Sequence, residues 1–289
     1  MMNVKDKIVL ITGATSGIGK VAAIELAKMG AHVVIHGRDE RKARIVRDEI
    51  VSICGHENIE ILIGDVSSMQ DVKTMAKEFL SRFDRLDILI NNAGGVMDAK
   101  RQLTVDGLER TFAVNVASLF LLTALLFDAL TKSSEARIIN VSSMAHKFAR
   151  PDWSDFQLER KYSSNLAYGN AKLYVICVTE ELDRRMKEKR VHHVSVNALH
   201  PGVVATNFAK ESKGSMMNLF FKILRPFLIT PEKGARTTVY LASSEEVKGI
   251  SGKYFAKCRP ASIKRTFISE ENSLKLWQKL EQLTGKDML

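Results

Sequence analysis

Lys7-Ile8-Val9-Leu10-Ile11-Thr12-Gly13-Ala14-Thr15-Ser16-Gly17-Ile18-Gly19 runs straight into Lys20 to Met29, which has helical periodicity. Lys7 to Thr12 is a short, β-branched apolar run between turn residues, the pattern of a parallel strand buried on both faces. A glycine-rich turn between a strand and a helix lets backbone N–H groups approach a pyrophosphate, and the helix dipole favours the anion there. Gly13, Thr15, Ser16, Gly17, Ile18 and Gly19 are the residues placed to make that contact. Glycine-rich turns are common; the position between a first strand and a first helix gives this one its meaning.

Outward from that unit, strand and helix alternate. Strands are expected at Ala31 to His36, Ile59 to Ile63, Leu86 to Ile90, Arg137 to Val141, His192 to Leu199 and Lys253 to Phe255. Helices are expected at Arg41 to Cys54, Asp71 to Phe83, Thr104 to Thr131, Leu166 to Lys189, Glu232 to Ala242 and Glu270 to Leu283. This spacing predicts an α/β fold: a doubly wound parallel sheet of about seven strands with right-handed crossovers. No repeat, low-complexity tract or Pro/Ser-rich linker interrupts it, so residues 1–289 read as a single domain.

Composition narrows the function classes. Of 289 residues, 45% are hydrophobic and 26% charged, which is the balance of a globular chain. The net charge of +10 raises nucleic acid, anionic membrane surfaces and anionic cofactors as partners. Basic residues are dispersed, without the aromatic interleaving of a single-strand platform, so nucleic acid is not expected. Cys54, Cys177 and Cys258 are far apart, which fits a reducing compartment and neither a disulfide frame nor a zinc site. His192 and His193 are adjacent, so on a strand they point to opposite faces, and no metal is expected. The first residues lead directly into a strand, with no signal peptide or spanning segment expected, and a cytoplasmic setting follows.

The strand ends carry the chemistry. After the second strand, where an acid would bind ribose hydroxyls, stands His36-Gly37-Arg38-Asp39. Arg38 suits a 2′-phosphate through a charge-assisted contact, so NADP(H) is favoured and NAD(H) left open. The competing reading is that Asp39 or Glu40 caps the next helix and Arg38 is solvated. Asp65, followed by Val66, can accept from an adenine amino group or cap a helix near Ser67-Ser68. Asn92, Ala93 and Gly94 are small enough for a cofactor to lie against the strand end, and Asn92 can instead brace the sheet. Asn115 sits within an apolar helix and must be satisfied there, by neighbouring backbone in the simplest case. Ser142-Ser143 ends the fifth strand and faces the crevice. Tyr168 and Lys172 are one helical turn apart on one face. An ammonium beside a phenol lowers its pKa, which makes the pair an acid/base device for an alcohol oxygen. Met144 to Asn165 reads as an irregular insertion near the site. Met216 to Ile229 is apolar with Lys222 and Arg225 inside it, and reads as part of a substrate lid near 207–229, a peripheral membrane contact, or core.

Taken together these residues resemble the short-chain dehydrogenase/reductase family, with its Rossmann fold. TGxxxGxG is matched by Thr12, Gly13, Gly17 and Gly19, NNAG by Asn91 to Gly94, YxxxK by Tyr168 and Lys172, and PGxxxT by Pro201, Gly202 and Thr206. Val141 to His146 and His200 to Val204 look like the retinol dehydrogenase-like branch. The resemblance implies an NADP(H)-dependent oxidoreductase acting on a lipophilic aldehyde, ketone or retinoid-like alcohol, as a homodimer or homotetramer. It implies Asn115, Ser143, Tyr168 and Lys172 as catalytic residues. Tyr168 would transfer the proton, Lys172 lower its pKa, Ser143 bond the substrate oxygen, and Asn115 hold a water leading to Lys172. Pro201, Gly202, Val204 and Thr206 would complete the cofactor site. The alternatives are a non-catalytic NADP(H)-binding scaffold, which the full residue set argues against, and a sugar-nucleotide epimerase, which the glycine spacing argues against.

Overall fold

The structure is a computed structural model that describes residues 4–202 and 229–289. Eight strands form one sheet: β1 (Ile8–Ile11), β2 (His32–Gly37), β3 (Ile59–Ile63), β4 (Ile88–Asn91), β5 (Ala136–Val141), β6 (Val194–Leu199), β7 (Lys253–Ala256) and β8 (Arg259–Pro260). Their order is β3-β2-β1-β4-β5-β6-β7-β8, and only the β7–β8 pair is antiparallel. The seven expected parallel strands are present. The eighth is a two-residue return, made possible by Lys257 and Cys258 at φ 50° and 57°. Neither is a residue that favours this left-handed turn geometry, so nothing in the sequence signals it.

The strand residues alternate between two cores, as a pleated strand requires. Leu10, Val34, Leu62, Leu89, Ile138 and Val196 face the helices Met69–Arg82, Ser118–Thr131, Ser164–Glu188 and Glu270–Thr284. Val9, Ile11, Val33, Ile35, Ile90 and Ile139 face the helices Gly17–Lys28, Glu40–Cys54 and Pro231–Ser243. Each such side chain, fully buried, contributes about 1.5–3 kcal/mol. Because both faces are covered, apolar residues follow one another along β1 and most of β4, and the buried polar residues of the neighbouring strand, Asn140 and Arg137, are hydrogen-bonded. The chain winds outward from β1 to β3, then from β4 to β7 in the other direction. That reversal opens a crevice at the carboxyl ends of β1 and β4, where ligands of such sheets bind.

The helix expected from Thr104 starts later. Residues up to Glu109 turn instead, with Gly107 at φ 73°, and the Glu109 carboxylate caps the N–H groups of Thr111 and Phe112. The helix then contains a π-helical turn, Ala113–Ala117, before continuing as Ser118–Thr131. By length and composition Arg110–Thr131 could cross a membrane, with a mean hydropathy of 2.0, but 89% of that stretch is buried inside the protein. It is a core helix. His192 and His193 precede β6 rather than open it, and His193 bonds the Thr131 carbonyl. Val204, Thr206 and, apart from Ile229, the apolar run Met216 to Ile229 lie outside the described residues.

Candidate active site

The glycine turn is shaped by close approach. Gly13 is at φ 66°, and a Cβ on Gly19 would stand 2.5 Å from the Asn92 Nδ2 and from the Gly13 carbonyl oxygen. Neither neighbour can give way. The Asn92 amide donates to the Thr12 and Gly13 carbonyls at 2.8 and 3.1 Å. The Thr12 hydroxyl in turn accepts from the Asn92 and Ala93 N–H groups, both at 2.9 Å. Asn92 therefore braces the crevice, the second of its two expected uses. Asp39, Ser68, Ser163, Thr230 and Ser269 all cap their helices through side-chain oxygens. Ser16 makes no such bond, and no acid stands in the first turn of Gly17–Lys28. The N–H groups of that turn suit an anion, and the glycines let Asn92 and Ala93 pack closely against the turn that presents them.

At the end of β2, Gly37 is needed because a Cβ there would lie 2.4 Å from Thr15 Cγ2. Asp39 accepts from the Lys42 N–H and caps Glu40–Cys54, while Arg38 is exposed. The acid thus caps the helix, as one of the two expected readings had it. Asp65 accepts from the Ser67 N–H at 2.8 Å, whereas Ser68 caps the helix proper. His36 is the part of this region that sequence reasoning missed. Its Nδ1 accepts from the Gly13 N–H at 3.1 Å, and its Nε2 faces the Gly64 carbonyl at 3.0 Å. One buried imidazole, with its proton on Nε2, joins the glycine turn to the end of β3. Burial holds its pKa below the usual value and keeps it an acceptor. A histidine at a strand end was visible in the sequence, but its partners were not.

On the other side of the crevice, Asn115 occupies the π-helical turn. Its amide donates to the Gly95 and Thr111 carbonyls at 2.9 and 2.8 Å and accepts from the Gly95 N–H at 3.0 Å. It is the backbone-satisfied core asparagine that residue chemistry alone favoured. Both amide protons are committed, so they are not offered to a water. A Cβ on Gly94 would lie 2.6 Å from Asn115 Oδ1 and 3.0 Å from Lys172 Nζ. Small residues at this strand end therefore also serve the packing of Asn115 and Lys172.

Ser142 and Ser143 separate cleanly. Ser142 is buried and donates to the Lys172 carbonyl at 2.7 Å. Ser143 caps the turn Met144–Phe148 through the Ala145 N–H, and its hydroxyl is near enough to the Tyr168 phenol to act on its pKa. Lys172 Nζ donates to the Val141 carbonyl at 3.0 Å and lies 5.6 Å from the Tyr168 ring centroid. Burial raises the Tyr168 pKa far above that of a free phenol, and the neighbouring Ser143 hydroxyl offsets only part of this. Burial also lowers Lys172 from its ordinary value to about 7. One helical turn of separation was legible; the desolvation of both groups was not.

Pro201 and half-buried Gly202 follow β6, with Gly202 at φ 94°. Every described candidate except Asn115, Tyr168 and Lys172 thus follows the carboxyl end of a strand, and those three come from two helices packed beside it. Among the described residues no group of three or more His, Cys, Asp or Glu could hold a metal ion.

Residues 7–216 match the family model for short chain dehydrogenase. The human protein named retinol dehydrogenase 14 is 36% identical over 294 residues, covering 96% of this chain and 86% of that protein. A crystal structure of an uncharacterized protein from Mycobacterium paratuberculosis superposes with a TM-score of 0.80 at 30% identity, covering 100% of this chain and 97% of the other. The structure of 3-ketoacyl-(acyl-carrier-protein) reductase from Brucella melitensis, complexed with NADH, has a TM-score of 0.67 at 27% identity, covering 87% and 96%.

Proposed function

The chain belongs to the short-chain dehydrogenase family of nicotinamide-dependent oxidoreductases, and from that premise we propose that it uses NADP(H) to interconvert a lipophilic carbonyl compound and its alcohol. The observation that carries the reading is the gathering of Ser143, Tyr168 and buried Lys172 at the end of β5, with Lys172 Nζ 5.6 Å from the Tyr168 ring centroid and donating to the Val141 carbonyl. Bound nicotinamide supplies or accepts the hydride. In reduction the Tyr168 phenol gives its proton to the carbonyl oxygen, and in oxidation it takes one back. Ser143 donates a hydrogen bond to the same oxygen as charge develops on it. Lys172, with a pKa of about 7, exchanges a proton readily in either direction. Asn115 acts by holding Gly95 and, through it, the Gly94 turn against Lys172. The open first turn of Gly17–Lys28 receives the pyrophosphate, and Arg38 receives a 2′-phosphate.

Lipophilic substrates are favoured because Met144 and Phe148 expose apolar surface on the turn that Ser143 begins, and because the similar human protein is named a retinol dehydrogenase. The test is NADPH and NADH consumption against aldehydes and ketones of increasing chain length, with wild type and Tyr168→Phe. Long-chain aldehydes with NADPH are expected to turn over fastest. The variant is expected to lose about a hundredfold or more in turnover while still binding NADPH. Unchanged turnover in that variant would remove the assigned acid.

A further inference from the structure

We propose that His146, backed by Tyr254 and His200, is a positioning residue that anchors Ser143 by donating a hydrogen bond to the serine's own carbonyl. The inference rests on the reading of Ser143 given above. His146 is only 3% exposed, and its Nδ1 lies 2.7 Å from the Ser143 carbonyl oxygen. A carbonyl only accepts, so Nδ1 carries the proton. The Tyr254 hydroxyl, on β7, is 3.3 Å from the same Nδ1 and 2.8 Å from His200 Nδ1. With His146 Nδ1 protonated, Tyr254 cannot donate to it. Its hydroxyl proton goes to His200, and it receives the longer second branch from His146. The rings support this order. His146 meets Tyr254 edge-on at 5.1 Å, and His200 stacks on Tyr254 at 5.6 Å.

The result is a directional chain that ties the turn after β5 to the ends of β6 and β7. Ser143 is fixed at two points. The Ala145 N–H orients its hydroxyl, and His146 holds its carbonyl. His146 Nε2 is buried with no partner among the described residues, so the polar attachments of the ring are all made through Nδ1. A second proton on Nε2 would find no acceptor there. Burial holds both histidines neutral, with His200 lowered to about 4. A displaced serine would misplace the hydrogen bond to the reacting oxygen, and such errors are costly to kcat.

The test compares His146→Phe, which keeps a ring against Tyr254 but loses the donor, with His146→Asn, whose side-chain amide can place an N–H near the position of Nδ1. Decanal reduction by NADPH and NADPH affinity are measured for both, with Ser143→Ala as reference. The imidazole ¹⁵N shifts of the wild type are recorded at neutral pH. His146→Phe is expected to lower kcat by about tenfold to a hundredfold. KM and NADPH affinity should stay close to wild type, and His146→Asn should recover most of the loss. The ¹⁵N shifts should show His146 protonated at Nδ1 and not at Nε2. A proton on Nε2, or equal losses in both His146 variants, overturns the anchor. Wild-type kcat in His146→Phe with an inactive Ser143→Ala also overturns it. Wild-type kcat in Ser143→Ala would instead overturn the reading of Ser143, and the positioning role with it.

Discussion

The hydroxyl of Ser142 donates to the main-chain carbonyl of Lys172 at 2.7 Å, so two adjacent serines at the end of β5 have different work. Ser142 ties the strand to the helix that carries Tyr168 and Lys172. Ser143 stands beside the phenol and lowers its pKa. Ser142→Ala is expected to cost stability, about 1 kcal/mol for one intramolecular hydrogen bond, with kcat reduced little. Ser143→Ala should lower kcat by about a hundredfold or more through loss of an oxyanion-type donor, a kinetic loss well beyond the modest stability cost of losing the bond from the Ala145 N–H. Urea melts together with steady-state kinetics on both variants check the division. Equal kinetic loss in the two would refute it.

Lys172 carries a stability cost that its function explains. Its folded pKa is about 7 against 10.5 for a free lysine. Between those values the unfolded chain binds more protons than the folded one, so stability rises with pH across that window. A difference of one pH unit between folded and unfolded pKa corresponds to about 1.36 kcal/mol, and the cost is fully present below the folded pKa. Lys172→Met should therefore raise Tm while abolishing turnover, a trade common at strained functional sites. The gain should be largest at pH 7 and below and shrink toward pH 10. A gain that does not depend on pH would mean that packing, not charge burial, is responsible.

Gly94 is tightly enclosed. An alanine methyl there would enter the space of Asn115 Oδ1, which is bonded to the Gly95 N–H and cannot withdraw without breaking that contact. Gly94→Ala is expected to destabilise by about 1–3 kcal/mol, the usual range for overpacking, and to depress kcat together with NADPH affinity. Denaturation and equilibrium NADPH titration of the variant test this. Wild-type values in both would show that the π-helical turn tolerates a shift of Asn115.

The parts of this molecule that were legible in the sequence are those set by period and by local steric demand. The apolar runs of β1, β4 and β5 and the turn beginning at Gly13 could be read directly, because a buried parallel strand and a close backbone approach each allow few residue types. The π-helical turn around Asn115 could not, since Ala113 to Ala117 has the composition of an ordinary apolar helix. The β7–β8 return was hidden for a similar reason. Its left-handed residues are Lys257 and Cys258, neither of which favours that conformation. The links from His36 to Gly13 and Gly64, and from His146 and His200 to Tyr254, depend on contacts between segments far apart in the chain. Adjacent-residue reasoning has no access to such contacts. The burial of Tyr168 and Lys172 was not legible for the same reason: spacing along a helix gives proximity, and only the packing around it gives the dielectric.

In the proposed use of NADP(H), cofactor choice turns on the end of β2. Asp39, the acid nearest a ribose hydroxyl there, is committed to capping the helix Glu40–Cys54 by its bond from the Lys42 N–H. Arg38 is exposed beside it, and Gly37 keeps the rim low because Thr15 fills the space a side chain would take. In the proposed reading a 2′-phosphate at this position is bound by the Arg38 guanidinium. Arg38→Asp removes the cation and adds an anion, so the phosphate is repelled while a ribose hydroxyl gains an acceptor. Hydrogen bonds to charged groups contribute about 1.5–3 kcal/mol, and every 1.4 kcal/mol is about tenfold in affinity. The ratio of kcat/KM for NADPH over NADH should therefore fall by roughly tenfold to a hundredfold in Arg38→Asp. The fall should be smaller in Arg38→Ala, which loses the cation without gaining the repulsion. It should also diminish at high salt, which screens an exposed charge pair. Measuring both cofactors with both variants at two ionic strengths decides the matter. A ratio that does not move in either variant would assign discrimination to another residue of the crevice.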